Sequence, residues 1–334
     1  LVIVFFSLCS VLSATKYYIS SDGDDKNDGK SELTAWKTIE KVNSYFQIFN
    51  SGDEILFRRG DTFYGTIYIT KSGSSGNNII IGAYGYGSDP VITGLETLES
   101  WTDETGGIWS KSIECESIPK YILINNFGYA MGRYPNNSFL FYETFNTNLS
   151  ISDNQLTSNT DWTGAEAVIR KNDWTMDRCI ITKHSGPDLH YTSLGSASNA
   201  TRNNGYFFQN DLRTLDNFGE WYYDGAKIYV YFGSEKPDNY IIKIPTIDNL
   251  IHNHTYDYLT IENISFIGSG SSAISFENYT DYYTIRNCHF VFSGENAIKL
   301  IVARYGNIEN NQMLNSVRCG IFLDSGTDNN IINN

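Results

Sequence analysis

Toward the end of the chain the apolar positions fall into two ladders that keep the same step. One reads Ile261-Glu262-Asn263, Ile285-Arg286-Asn287, Ile308-Glu309-Asn310 and Ile332-Asn333-Asn334. The other reads Ala273-Ile274-Ser275-Phe276, Ala297-Ile298-Lys299-Leu300 and Gly320-Ile321-Phe322-Leu323. A shared step of about two dozen residues predicts a chain that returns to the same two walls once per turn of a parallel coil. Strand side chains alternate between faces, so Ile274, Ile298 and Ile321 are assigned to the interior together with Phe276, Leu300 and Leu323. Ser275, Glu277, Lys299, Ile301, Phe322 and Asp324 are then assigned to the outside.

Upstream, Tyr17-Tyr18-Ile19-Ser20 predicts a strand, followed by an acidic, turn-rich loop from Asp22 to Gly29. The spacing of Trp36, Ile39 and Val42 predicts a short helix laid over the open end of a sheet, where it prevents edge pairing. Further strands are predicted at Ile55-Leu56-Phe57, Ile67-Tyr68-Ile69, Ile79-Ile80-Ile81 and Val91-Ile92. Between about 95 and 247 the ladder disappears, and alternating strands with scattered tryptophans predict an inserted antiparallel β-domain. Within it, Trp221-Tyr222-Tyr223 and Lys227 to Tyr231 predict a hairpin turning at Asp224-Gly225. The division expected is a partial signal peptide at 1–14, a cap and first coils at 15–94, the insertion at 95–247, and incomplete repeats at 248–334. With no closing cap after the last repeat, a C-terminally truncated coil is expected.

The first fourteen residues are apolar, uncharged and too short to span a bilayer, as in the core of a secretory leader cleaved after Ala14. A secreted protein is expected, with periplasmic and cell-surface placement as the alternatives, and no membrane span. A formal charge of −14 argues against nucleic acid as a partner. The five cysteines show no C-x-x-C spacing, so neither a zinc site nor a redox motif is indicated. A monomer acting on a polysaccharide or oligosaccharide is the expected state.

The phrases Asp24-Asp25-Lys26-Asn27-Asp28-Gly29, Ala35-Trp36-Lys37-Thr38-Ile39, Gly52-Asp53-Glu54-Ile55-Leu56-Phe57 and Ser72-Gly73-Ser74-Ser75-Gly76-Asn77 resemble the N-terminal region of secreted pectate-lyase-like, right-handed parallel β-helix proteins. Ala130-Met131-Gly132-Arg133-Tyr134-Pro135-Asn136 and Gly219 to Asp224 resemble the inserted β-domain of β-helix glycoside hydrolases. The resemblance implies an all-β fold, a right-handed parallel β-helix with an N-terminal capping helix and an inserted antiparallel β-domain. Because the superfamily holds lyases, hydrolases, esterases, tailspikes and adhesins, fold alone does not choose the chemistry.

Glu277, Lys299 and Asp324 are the candidate catalytic residues. Two rungs separate the carboxylates, about 9.6 Å between backbones, and side-chain tilt would bring them to the roughly 6.5–9.5 Å of an inverting glycosidase pair. Lys299 is expected between them, holding one carboxylate ionised while the other keeps its proton. Candidate substrate-binding residues are His289, Arg304, Arg318, Arg133 and Trp221: Arg304 and Arg318 for a sugar carboxylate, Arg133 and Trp221 as part of a sugar-binding lip whose aromatic faces stack on pyranose rings. The row Glu262, Arg286, Glu309 reads as cross-rung pairing, and Asn263, Asn287, Asn310 and Asn334 as a structural amide ladder. The oxygen-rich loop from Asp22 to Asp28 is a candidate Ca2+ site without the EF-hand pattern.

Three functions compete. The first is a glycoside hydrolase cleaving a plant or algal polysaccharide by carboxylate acid/base catalysis. The second is a calcium-assisted lyase acting on uronate-containing glycans, with Lys299 re-read as the base. The third is a non-catalytic glycan-binding or adhesion solenoid.

Overall fold

The structure, a computed structural model, describes residues 14–156, 160–195, 198–201 and 204–334. Residues 1–13, read above as a leader, lie outside the described residues. The described residues divide into two compact units, one made of those up to 95 and from 245 onward, the other of those within 96–244.

The first unit consists of three parallel sheets that the chain visits in rotation. Leu259–Glu262 lies in the first sheet, Ser265–Ser269 in the second and Ile274–Phe276 in the third; Tyr283–Arg286, His289–Ser293 and Asn296–Ile301 repeat that order. Each strand pairs in parallel with the one a circuit earlier, Ile261 opposite Ile285, Phe266 opposite Phe290 and Ile274 opposite Ile298. The inward isoleucines and phenylalanines form one continuous buried core that also takes in Trp36, Ile39, Val42 and Phe57. This alternation is enough to set the register, because a slip of one residue would turn every isoleucine outward.

The ladder at Asn334 is corrected by the pairing. Ile308 stands opposite Ile331 and Glu309 opposite Ile332, so the fourth phrase begins one residue earlier and Asn333, not Asn334, follows Asn310. Two adjacent isoleucines left the sequence pattern without a way to choose. Asn263, Asn287, Asn310 and Asn333 share a left-handed backbone with φ of 57°, 52°, 57° and 52°, a conformation asparagine tolerates at strand ends. Asn334 instead extends an inner ladder. Its Oδ1 accepts from Asn311 N at 3.1 Å, and Asn311 Oδ1 accepts from Cys288 N at 2.9 Å.

The helix Ile39–Tyr45 buries Ile39 and Val42 and is capped by Thr38, whose hydroxyl accepts from Lys41 N at 3.1 Å. Trp36, expected inside the helix, precedes it and lies fully buried. The helix treats the edge strand of the third sheet, Ile67–Ile69, as a partner. Asn43 donates to Thr66 O at 2.8 Å and accepts from Tyr68 N at 2.9 Å, so one side-chain amide stands in for a missing strand. The acidic loop serves similar backbone needs. Asp25 accepts from Lys37 N, Thr38 N and the Thr38 hydroxyl, Asp28 from Lys30 N and the Thr34 hydroxyl, and Asp22 pairs with Arg58. These carboxylates are turned to separate donors, which corrects the Ca2+ reading; among the described residues no group of three or more His, Cys, Asp or Glu is placed to hold a metal ion.

The second unit is antiparallel. Its largest sheet is built around Glu166–Arg170, Met176–Ser185, Asp188–Ser193 and Gly205–Gln209, over a core containing Trp162, Tyr206 and Phe208. A four-stranded sheet holds the hairpin Trp221–Tyr223 and Lys227–Tyr231. Its turn is drawn in by Asp224 Oδ1, which accepts from Ala226 N and Lys227 N, and Gly225 supplies the φ of 103°. No helix among the described residues is long and apolar enough to cross a membrane.

Candidate functional site

The outer face of the third sheet gathers the unit's chemically useful side chains. One outward row runs Tyr68, His252, Ser275, Lys299, Phe322, one residue per strand. The next outward row continues through Glu277, Ile301 and Asp324. Register therefore places Ile301, not Lys299, between the two carboxylates, which corrects the expected order. Lys299 belongs to the neighbouring row and reaches Glu277 on the diagonal.

That diagonal contact is close. Lys299 Nζ donates to Glu277 Oε1 at 3.1 Å, and the buried Ser275 hydroxyl donates to the same oxygen at 3.2 Å. Oε2 accepts from no donor among the described residues. Partial burial pushes the Glu277 carboxyl up, but the Lys299 hydrogen bond and charge, with the Ser275 hydroxyl and nearby His252, outweigh it and hold the group below the usual carboxylate range. Glu277 is thus an ionised carboxylate with one oxygen engaged and one free. Such a group can accept a proton from water or act as a nucleophile, but it is unsuited to donate one at neutral pH.

Asp324, by contrast, is exposed, and its Oδ1 accepts from the neighbouring Ser325 hydroxyl at 2.9 Å. Tyr68 is half exposed and stands edge-on to His252, with ring centroids 6.1 Å apart. At the far end of the row the Arg318 guanidinium lies 4.6 Å from the Phe322 ring centroid, so Arg318 shares this face.

The remaining candidates are placed elsewhere. His289 stands on the second sheet, its Nδ1 3.6 Å from Asp89 Oδ2, and Asp89 also pairs with Arg59. It does not join Glu277. Arg304 cannot offer its fork to a sugar carboxylate, because Asp281 already fills it with contacts of 2.9 and 2.7 Å. Trp221 is not a sugar platform. It is fully buried, and its indole N–H is spent on Tyr129 O at 2.9 Å; the apolar alternation of its strand turns the ring into the core. Arg133 belongs to a different sheet of the same unit and donates to the carbonyls of Pro135 and Ser138.

Sequence reasoning missed His252 and Tyr68. The phrase Ile251-His252-Asn253 precedes Ile274-Ser275-Phe276 by the same 23-residue step, so His252 was within reach of the ladder. Tyr68 was not, because the whole second unit separates it from His252 along the chain.

No family model matches the chain. A lacto-N-biosidase from Bifidobacterium longum subsp. longum is 39% identical over 85 residues, which is 24% of this chain and 5% of that protein. Among solved structures, one described as a glycoside hydrolase superposes with a TM-score of 0.69 at 15% identity, covering 89% of this chain and 65% of the other. A structure of XylC with xylose superposes with a TM-score of 0.50 at 14% identity, covering 89% and 53%. The chain therefore spans a small fraction of its curated relative and about half to two thirds of these structures. Their likeness establishes a shared, strand-rich fold with parallel sheets.

Proposed function

We propose that this chain is part of a secreted carbohydrate-active enzyme, a glycoside hydrolase whose three parallel sheets wind as a right-handed β-helix. The observation that carries the reading is the Glu277 carboxylate, held ionised by Lys299 and Ser275 with Oε2 free, on an open face edged by Tyr68 and Phe322. Aromatic rings at either end of a flat row suit an extended glycan, whose C–H faces stack on them while its hydroxyls meet the polar groups between. The similar proteins, a lacto-N-biosidase and a glycoside hydrolase, lend weight to the same chemistry.

In this reading Glu277 Oε2 takes a proton from water as the water oxygen bonds to the anomeric carbon. The glycosidic C–O bond breaks, and a second acid, with Asp324 as the candidate two rungs away, gives its proton to the leaving oxygen. The elimination reading is less favoured, because it needs the Lys299 nitrogen as a free base and Glu277 already engages it.

The test is a glycan screen of the full-length protein and its Glu277→Gln variant. Reducing ends should be released by the parent and lost in the variant, with no rise in ultraviolet absorbance from an unsaturated product. Cleavage undiminished in Glu277→Gln, or an absorbing product, would sink the assignment.

A further inference from the structure

A second site lies in the antiparallel unit. A cavity of about 340 Å³ is lined by Lys120, Arg133, Arg178 and Gln209 beside the apolar Met131 and Phe207. Its size is at the lower end of small-ligand pockets, which run from roughly 300 to 1,000 Å³.

Charge makes it unusual. Residues 96–244 carry 19 acidic against 12 basic side chains, yet three cations converge on this cavity. One is compensated: Arg178 grips Glu166 with Nε at 2.7 Å and a second contact from Nη2, and Gln209 donates to the same carboxylate. The other two are not. Arg133 is fixed by the neutral carbonyls of Pro135 and Ser138 and lies with its guanidinium 3.8 Å from the Phe207 ring centroid. Neutral oxygens orient a guanidinium without cancelling its charge, and partial burial pulls the Arg133 pKa below its ordinary value, the mark of a cation short of an anionic partner. Lys120 has no ion-pair partner among the described residues. The Nη1 groups of Arg133 and Arg178 also have no protein acceptor there.

Held cations beside an apolar wall fit a ligand with one apolar face and one negative group. We propose that this cavity binds the carboxylate of an acidic saccharide, with the sugar ring against Met131 and the Arg133–Phe207 stack and the carboxylate between Lys120 and Arg133. This site is separate from the Glu277 face and stands whether or not that face hydrolyses glycans.

The experiment is calorimetric titration of the full-length protein with digalacturonic acid, its neutral dimethyl ester and inorganic sulfate. The acid should bind, with the ester at least about tenfold weaker. Lys120→Glu should weaken the acid by a similar factor without changing the melting temperature, Arg133→Gln should weaken it comparably while also lowering the melting temperature through its lost hydrogen bonds to Pro135 and Ser138, and Glu277→Gln should leave affinity unchanged. Equal binding of acid and ester, displacement of the disaccharide by sulfate at equal concentration, no binding of the acid, or binding that survives Lys120→Glu would each overturn the proposal. If binding were lost in Glu277→Gln but kept in Lys120→Glu, the ligand would belong to the other face.

Discussion

Lys299 and Glu277 touch at 3.1 Å although they are not opposite one another in the sheet. Lys299 stands across from Ser275, and its long side chain leans along the strand to meet a carboxylate in the adjacent row. The pair leaves one carboxylate oxygen free, and that asymmetry is what makes Glu277 chemically useful.

Replacing Lys299 by Met should raise the Glu277 pKa, since both the hydrogen bond and the charge that depress it vanish. The acid limb of the pH–rate profile should move to higher pH; an unmoved limb would show that Glu277 is not the group titrating. The same linkage reaches stability. A carboxyl depressed in the folded state stabilises above its unfolded pKa, about 4.3 for Glu, and loses that contribution as pH falls through the folded value. The stability difference between parent and Lys299→Met should therefore shrink when urea unfolding at pH 7 is repeated near pH 3.

Tyr68 and Trp221 should separate binding from folding. Tyr68→Ala removes a half-exposed ring and should weaken glycan binding up to roughly tenfold with little change in melting temperature. Trp221→Ala empties a core position and should cost roughly 3–5 kcal/mol, read by chemical denaturation. Equal thermal losses in both variants would contradict this division.

Asn311→Ala should be costly for its size. The buried amide satisfies Cys288 N–H and Ile285 O, and leaving them bare costs about 1–3 kcal/mol. Denaturant midpoints of Asn311→Ala and the exposed Asn330→Ala should differ clearly, with the latter near the parent.

Asn43→Ala should uncover the edge of the third sheet. The loss of its two hydrogen bonds to Thr66 and Tyr68 would leave those backbone groups open to another chain, and self-association should rise with concentration in light scattering. A strictly concentration-independent mass would remove this role from Asn43.

How far the site could be read from the chain varied with the kind of contact involved. The outward placement of Glu277, Lys299 and Asp324 was legible because side chains alternate with a period of two from the inward Ile274, Ile298 and Ile321. Their mutual arrangement was not, since periodicity gives rows and rungs but not the lean of a lysine. The aromatic-rich strand from Trp221 to Tyr223 showed the opposite limit: alternation indicated two faces without indicating which one met solvent.

The sequence by itself determined the repeating circuit, the inward isoleucines and the interruption after Val91–Thr93, because each is written in local periodicity that burial enforces residue by residue. Only the tertiary structure decided that Tyr68 stands beside His252 and that Lys120, Arg133 and Arg178 line one cavity with Phe207. Those relationships join residues far apart along the chain, and their distances follow from how strands pair across an intervening domain and how side chains settle, which no local pattern records.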